Sequence, residues 1–153
     1  FRVDVVTGET EELSSGGSWF SFLPDETRVA YLSGNTIFIL DLNSGAEQKA
    51  ILDITNEYEE VFLSDLVWSP DGLSIAVQAG INICLDLLNS QHAIVLVDVE
   101  TLSQTIILED PTIRRINGWP EPNILLLLVQ EENLPSQTVQ FNISSGEFAP
   151  VNN

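Results

Sequence analysis

Arg114 and Arg115 stand side by side in a chain whose 23 acids face 5 basic residues, and two neighbouring guanidiniums can grip a carboxylate through paired N–H donors. They can equally neutralise Glu109 and Asp110 close by, and both roles are open to them. The single histidine, His92, and the run Tyr58-Glu59-Glu60 complete the side chains suited to binding. None of this assembles a catalyst. A Ser-His-Asp triad needs a base beside its nucleophile, His92 is the sole candidate, and no G-x-S-x-G elbow occurs. Ser14-Ser-Gly-Gly-Ser18 resembles one only loosely and reads as a connection. One cysteine and one histidine cannot build a zinc site. There is no phosphate-cradling loop, dinucleotide fingerprint or EF-hand loop. Adjacent acids, as at Glu59-Glu60 and Glu131-Glu132, follow from abundance alone. The expectation is a protein that is not an enzyme and uses no metal or cofactor.

Bulk properties narrow the partners. The net charge of −18 repels phosphate backbones and anionic lipid, so neither nucleic acid nor a membrane surface is an expected partner. A solvated acidic surface explains the charge; a cationic partner, bound calcium or a salty habitat are sharper alternatives. The longest apolar run, Ile124 to Val129, is far shorter than the about 20 residues of a membrane helix. Phe1 is not a natural start, which points to a processed chain or a piece of a longer one. Cys84, the lone cysteine, lies in an apolar stretch and reads as a small buried hydrophobe.

The elements that must carry these residues show as a repeat. Leu66-Val-Trp-Ser-Pro-Asp-Gly-Leu-Ser-Ile-Ala-Val77 reads as strand, type I turn, strand, with Pro70 and Gly72 at the turn positions that favour them. Weaker copies span Phe20 to Leu32 and Ile116 to Val129. Between them lie hairpins in which Asp4, Asp41, Asp98 and Asn142 end a strand before a turn. Gly8, Gly45 or Gly146 supplies a positive φ there, with Leu102 in the third copy. An Asx side chain accepts hydrogen bonds from such a turn, which accounts for these acids without metal binding. It also accounts for the glycosylation-type triplet Asn142-Ile-Ser144. The units are a partial one (1–17), then 18–60, 61–110 and 111–153, each full one offering four strands. In 61–110 these are about 64–69, 73–78, 93–99 and 103–109. Four strands at this period predict an all-β β-propeller of about three and a half blades. Ile81 to Asn89 is the nearest approach to a helical period.

Arg28 to Leu32, Ile75 to Val77 and Ile124 to Val129 are nearly continuously apolar, as when blades cover both faces of a strand. Glu47 to Leu52 and Ser103 to Leu108 are more polar, as outer edges should be. Trp19, Trp68 and Trp119 read as inter-blade core. Long connections at 53–64, 78–92, 109–115 and 130–137 open on one face and hold Tyr58, Glu59, Glu60, His92, Arg114 and Arg115, which makes that face the expected binding surface.

Trp68-Ser-Pro-Asp-Gly72 followed by Ser74-Ile-Ala-Val77 resembles the repeat of TolB-like, WD-repeat-like β-propellers, and equally that of the non-catalytic propeller in prolyl oligopeptidase-type peptidases. Phe22-Leu-Pro-Asp-Glu26 and Gly118-Trp-Pro-Glu-Pro122 are degenerate copies without the turn glycine. The resemblance covers almost the whole chain and implies a module that binds proteins, peptides or sugars, or that gates a neighbouring enzyme. From it follow an exported, extracellular or periplasmic setting and a protein or peptide partner. The blade count implies further blades, from the same parent chain or another.

Overall fold

A computed structural model describes residues 2–3, 10–11, 17–52, 61–81, 91–132 and 134–151. Tyr58, Glu59, Glu60, Cys84, Asp4, Gly8 and the helix-like stretch within 82–90 lie outside the described residues. β1 (Arg2–Val3) pairs with β2 (Thr10–Glu11). Three four-stranded antiparallel sheets follow, each a meander in chain order. The first holds β3 (Ser18–Phe22), β4 (Arg28–Ser33), β5 (Thr36–Asp41) and β6 (Glu47–Ile51). The second holds β7 (Val61–Trp68), β8 (Ser74–Ile81), β9 (Gln91–Asp98) and β10 (Gln104–Glu109). The third holds β11 (Ile113–Glu121), β12 (Ile124–Val129), β13 (Gln137–Asn142) and β14 (Glu147–Pro150). This is the expected all-β, partial-propeller architecture.

The sheets stack as blades because the central strands β4, β5, β8, β9 and β12 carry most of the apolar side chains, with Phe141 of β13 joining them. One packed cluster joins Ala30, Leu32, Ile37 and Ile39 of the first sheet to Trp68, Ile75, Val77 and Val95 of the second. The other joins Ala76 and Ile94, on the second sheet's opposite face, to Ile113, Trp119, Leu125, Leu127 and Phe141 of the third. Trp68 ties the first interface further: its indole Nε1 donates to Ser21 O at 2.9 Å, and the Arg28 guanidinium lies 5.1 Å from its ring centroid. Outer strands β6 and β14 are largely exposed, and β10 is half so.

The turns obey local chemistry. Gly72 N–H donates to Ser69 O (3.0 Å), and Asp71 Oδ1 accepts from the Ser69 hydroxyl (2.6 Å) and Leu73 N–H (3.0 Å). In the degenerate copy Glu26 N–H donates to Leu23 O (2.8 Å), and Glu26 itself takes φ +58°, the left-handed conformation Gly72 holds at +71°. In the second hairpin type, Asp41 Oδ1 accepts from Asn43 and Ser44 N–H, Asp98 Oδ1 from Glu100 and Thr101 N–H, and Asn142 Oδ1 from Ser144 and Ser145 N–H. Leu102 stands at φ +57° where Gly45 and Gly146 stand at +72° and +73°.

These bonds have an acid-stability signature. Backbone donation from Ser44 and Thr101 holds the Asp41 and Asp98 carboxyls below their ordinary range, and the Ser69 hydroxyl does the same for Asp71. A depressed folded-state pKa gives stability that is complete above about pH 4 and is lost as pH falls through the folded value. Stability should therefore begin to fall as pH enters the usual Asp range and go on falling until the lower folded-state values are passed. Replacing Asp98 with Asn should flatten that limb while keeping the turn, as read by urea midpoints between about pH 2 and 5.

Candidate functional site

The innermost strands β3, β7 and β11 are edge strands, and β3 and β11 both pack against β7. Each is bulged. Register shifts fall between Ser18 and Ser21, between Ser64 and Leu66, and at three places along β11. Counted back from the turn, Trp19 and Asp65 occupy one position in their blades, three residues before Phe22 and Trp68. Both have left-handed backbones, at φ +54° and +44°. A bulge bends its strand and re-aims a side chain, and a non-glycine at positive φ costs about 1–2 kcal/mol. The bulges also spoil these edges as templates for another strand.

The three bulged strands enclose a cleft of about 230 Å³, lined by Trp19, Phe20, Asp65, Leu66, Val67, Arg115, Ile116, Asn117 and Gly118. Trp19 and Phe20 are about half exposed, at 49 % and 50 %. Asp65 is 7 % exposed, and its Oδ2 accepts one long hydrogen bond, from Ile116 N–H at 3.3 Å. Burial pushes this carboxyl above its ordinary range; the nearby Arg115 guanidinium and the Ile116 amide pull the other way and do not offset it.

The arginine pair divides. Arg114 Nη1 donates to Pro111 O (2.8 Å) and Ile113 O (3.2 Å), its Nη2 to Gln130 O (3.2 Å), and its Nε to Gln130 Oε1 (3.5 Å). That side chain clamps the start of β11 to the end of β12. Arg115 is exposed, and among the described residues no hydrogen bond or ion pair engages its guanidinium. Arg115 lines the cleft, and of the two it is the one free to meet a ligand.

His92 is half-buried, with Nδ1 3.2 Å from Gln78 Nε2, an amide that also donates to Arg114 O at 3.2 Å. Burial, then the Arg114 guanidinium, holds the imidazole below its ordinary range, so it stands neutral with Nδ1 accepting. This links the second and third sheets. His92 and Arg114 are thus neighbours by way of Gln78, while Arg115 turns toward Asp65.

Several expectations are corrected. Gln78 and His92 lie within β8 and β9, which extend past 73–78 and 93–99, so the intervening loop is shorter than 78–92. Arg114 and Arg115 sit on β11 rather than in a 109–115 loop, because the turn at Asp110 to Thr112 closes early: the Asp110 carboxylate accepts from both Thr112 N–H (2.7 Å) and its hydroxyl (2.6 Å). Trp19 is not inter-blade core; its bulge turns it into the cleft. Trp68 and Trp119 do pack between blades. β12 alternates part-covered and buried side chains, so its apolar run is fully covered on one face only. Asp65, Phe20 and Asn117 were not singled out as cleft residues by the sequence, and Trp19 was assigned to the core. One signal was present, a single acid inside the apolar strand Val61 to Trp68.

Among the described residues no three His, Cys, Asp or Glu side chains gather as metal ligands. The chain matches no protein-family model and no curated protein. Solved structures do match. An oligogalacturonate lyase from Vibrio parahaemolyticus superposes with TM-score 0.75 at 14 % identity, over 97 % of this chain and 44 % of that one. TolB from Acinetobacter baumannii gives 0.66 at 18 %, over 94 % and 35 %. The β-propeller domain of the Trilobed protease from Pyrococcus furiosus gives 0.60 at 24 %, over 88 % and 41 %. At these identities the likeness is one of fold, and this chain spans less than half the length of each. The fold is that of β-propeller domains, in part.

Proposed function

We propose that this chain is the non-catalytic, protein- or peptide-binding part of a β-propeller in an exported protein. The observation that carries the reading is the cleft at the inner strands. There a guanidinium with no hydrogen bond or ion pair among the described residues, two half-exposed aromatic rings and a buried carboxylate converge at bulges that cost the fold free energy. Peptide recognition uses such parts: flat rings for contact area, a guanidinium for carbonyl or carboxylate oxygens, and a rigid scaffold behind them. The acidity and the TolB-like repeat support export.

Panning a random peptide library on the immobilised chain tests this. A selected peptide should lose about tenfold or more in affinity to Arg115→Ala, the scale of a hydrogen bond to a charged group. Arg114→Ala should lower stability and leave affinity nearly unchanged. Selected peptides that instead map to the opposite end, near Pro24, Asp71 and Glu121, would overturn the reading. The runner-up is an accessory propeller of a peptidase, favoured by the likeness to the Trilobed protease domain. A G-x-S-x-G elbow elsewhere in the parent chain would establish it.

A further inference from the structure

We infer that the cleft takes a positively charged organic group, the ammonium or guanidinium of a peptide, seated between the Asp65 carboxylate and the rings of Trp19 and Phe20. This rests on the proposed peptide binding and names the chemistry of that site. Four features point the same way. The Asp65 carboxylate can accept about four hydrogen bonds and among the described residues has one, of 3.3 Å, while being 7 % exposed and feeling the Arg115 charge only at longer range. A desolvated carboxylate so poorly satisfied gains most from a cation carrying N–H donors. Trp19 and Phe20 line the same cleft half-exposed, and aromatic faces attract cations within about 6 Å of the ring centre. The net charge of −18 raises the local concentration of cationic ligands and repels anionic ones. Asp65 also holds a left-handed backbone conformation at φ +44°, so the residue costs the fold in both side chain and main chain.

Arg115 does not fill the role itself. Its exposed guanidinium makes no ion pair with Asp65, and it remains able to donate to a peptide carbonyl beside the basic group. The bulged edges favour reading by side chains over addition of a β-strand.

The test is an NMR titration of the 153-residue chain, following the Trp19 indole and Ile116 amide signals. The probes are acetyl-Gly-Lys-Gly-amide, its Nε-acetyllysine counterpart, and Gly-Gly-Gly-amide with a free N-terminus. The lysine peptide should shift both signals. Acetylating its ammonium, or replacing Asp65 with Asn, should each weaken binding by about tenfold or more. Asn tolerates positive φ, so that variant should keep the fold, and its melting temperature checks this. If the free N-terminus binds more tightly than the lysine side chain, the ammonium comes from a peptide end, and the inference stands. Equal binding of the lysine and acetyllysine peptides, or indifference to Asp65→Asn, would overturn the ligand class and leave peptide binding intact. Absence of any shift at Trp19 and Ile116 would overturn it too, whereas failure of peptide binding itself shows in the library experiment.

Discussion

Replacing Trp68 with Ala should cost about 3–5 kcal/mol, a large share of what a domain of this size possesses. The side chain is 3 % exposed and sits in the cluster that joins the first two sheets. Three losses coincide. The cavity is the largest of them. Ser21 O loses the indole donor at 2.9 Å, and the Arg28 guanidinium loses the ring 5.1 Å away. Arg28 also donates to Gly72 O at 3.3 Å, so the tight turn loses a fixed partner when that guanidinium is freed. Trp68→Phe separates the parts: it keeps most of the packing and the ring face and removes the indole donor, for about 1–3 kcal/mol. Urea unfolding followed by far-ultraviolet circular dichroism gives both numbers. A loss below about 1 kcal/mol in Trp68→Ala would mean that the two sheets do not depend on this contact.

What the sequence disclosed divides by range of interaction. Ser69-Pro70-Asp71-Gly72 and the Asx turns at Asp41, Asp98 and Asn142 were legible because every bond involved closes within a few residues. Leu102 at a glycine position was legible for the same reason, since the repeat places it there. The polar outer strands and the blade period followed from alternation. The site was not legible. Adjacent arginines suggested one task, yet the register shift between Ile113 and Arg115 sends Arg114 to a neighbouring turn and Arg115 to the cleft. Trp19 carried no mark of its left-handed backbone, because a bulge depends on the partner strand's register. Asp65 is ordinary by composition and becomes unusual only when β3 and β11 bury it.

Its burial makes an opposite demand from the turn aspartates. A carboxyl raised in the folded state contributes stability below its ordinary range, and that contribution is lost as pH rises through the folded value. The charged Asp65 therefore works against folding at neutral pH. If the proposed cation binding holds, this is a trade of stability for a binding group, as is found at functional sites.

The final expectation concerns the far face of the third sheet, where one residue's shift along β12 should change the outcome of a charge insertion. Leu125 and Leu127 are fully buried against the second sheet, while Ile124, Leu126 and Leu128 point the other way and are only part-covered. Successive strand residues face opposite sides, so a row of branched aliphatics on that side calls for a cover. Propellers close with about four to eight blades, more than the three four-stranded sheets here. Further blades are thus needed, and the far face of β12 is where one would seat. In the isolated chain Leu127→Glu should be unfolded or nearly so, because a buried, unpaired carboxylate costs more than about 4 kcal/mol. Leu126→Glu in the same chain should stay folded and bind less apolar dye than the parent sequence. Placed in a longer propeller that covers this face, the Leu126 change should become as damaging as the Leu127 one. Equal unfolding of both variants in the isolated chain would show that the far face is already covered within these residues, and that the ring needs no further blade on that side.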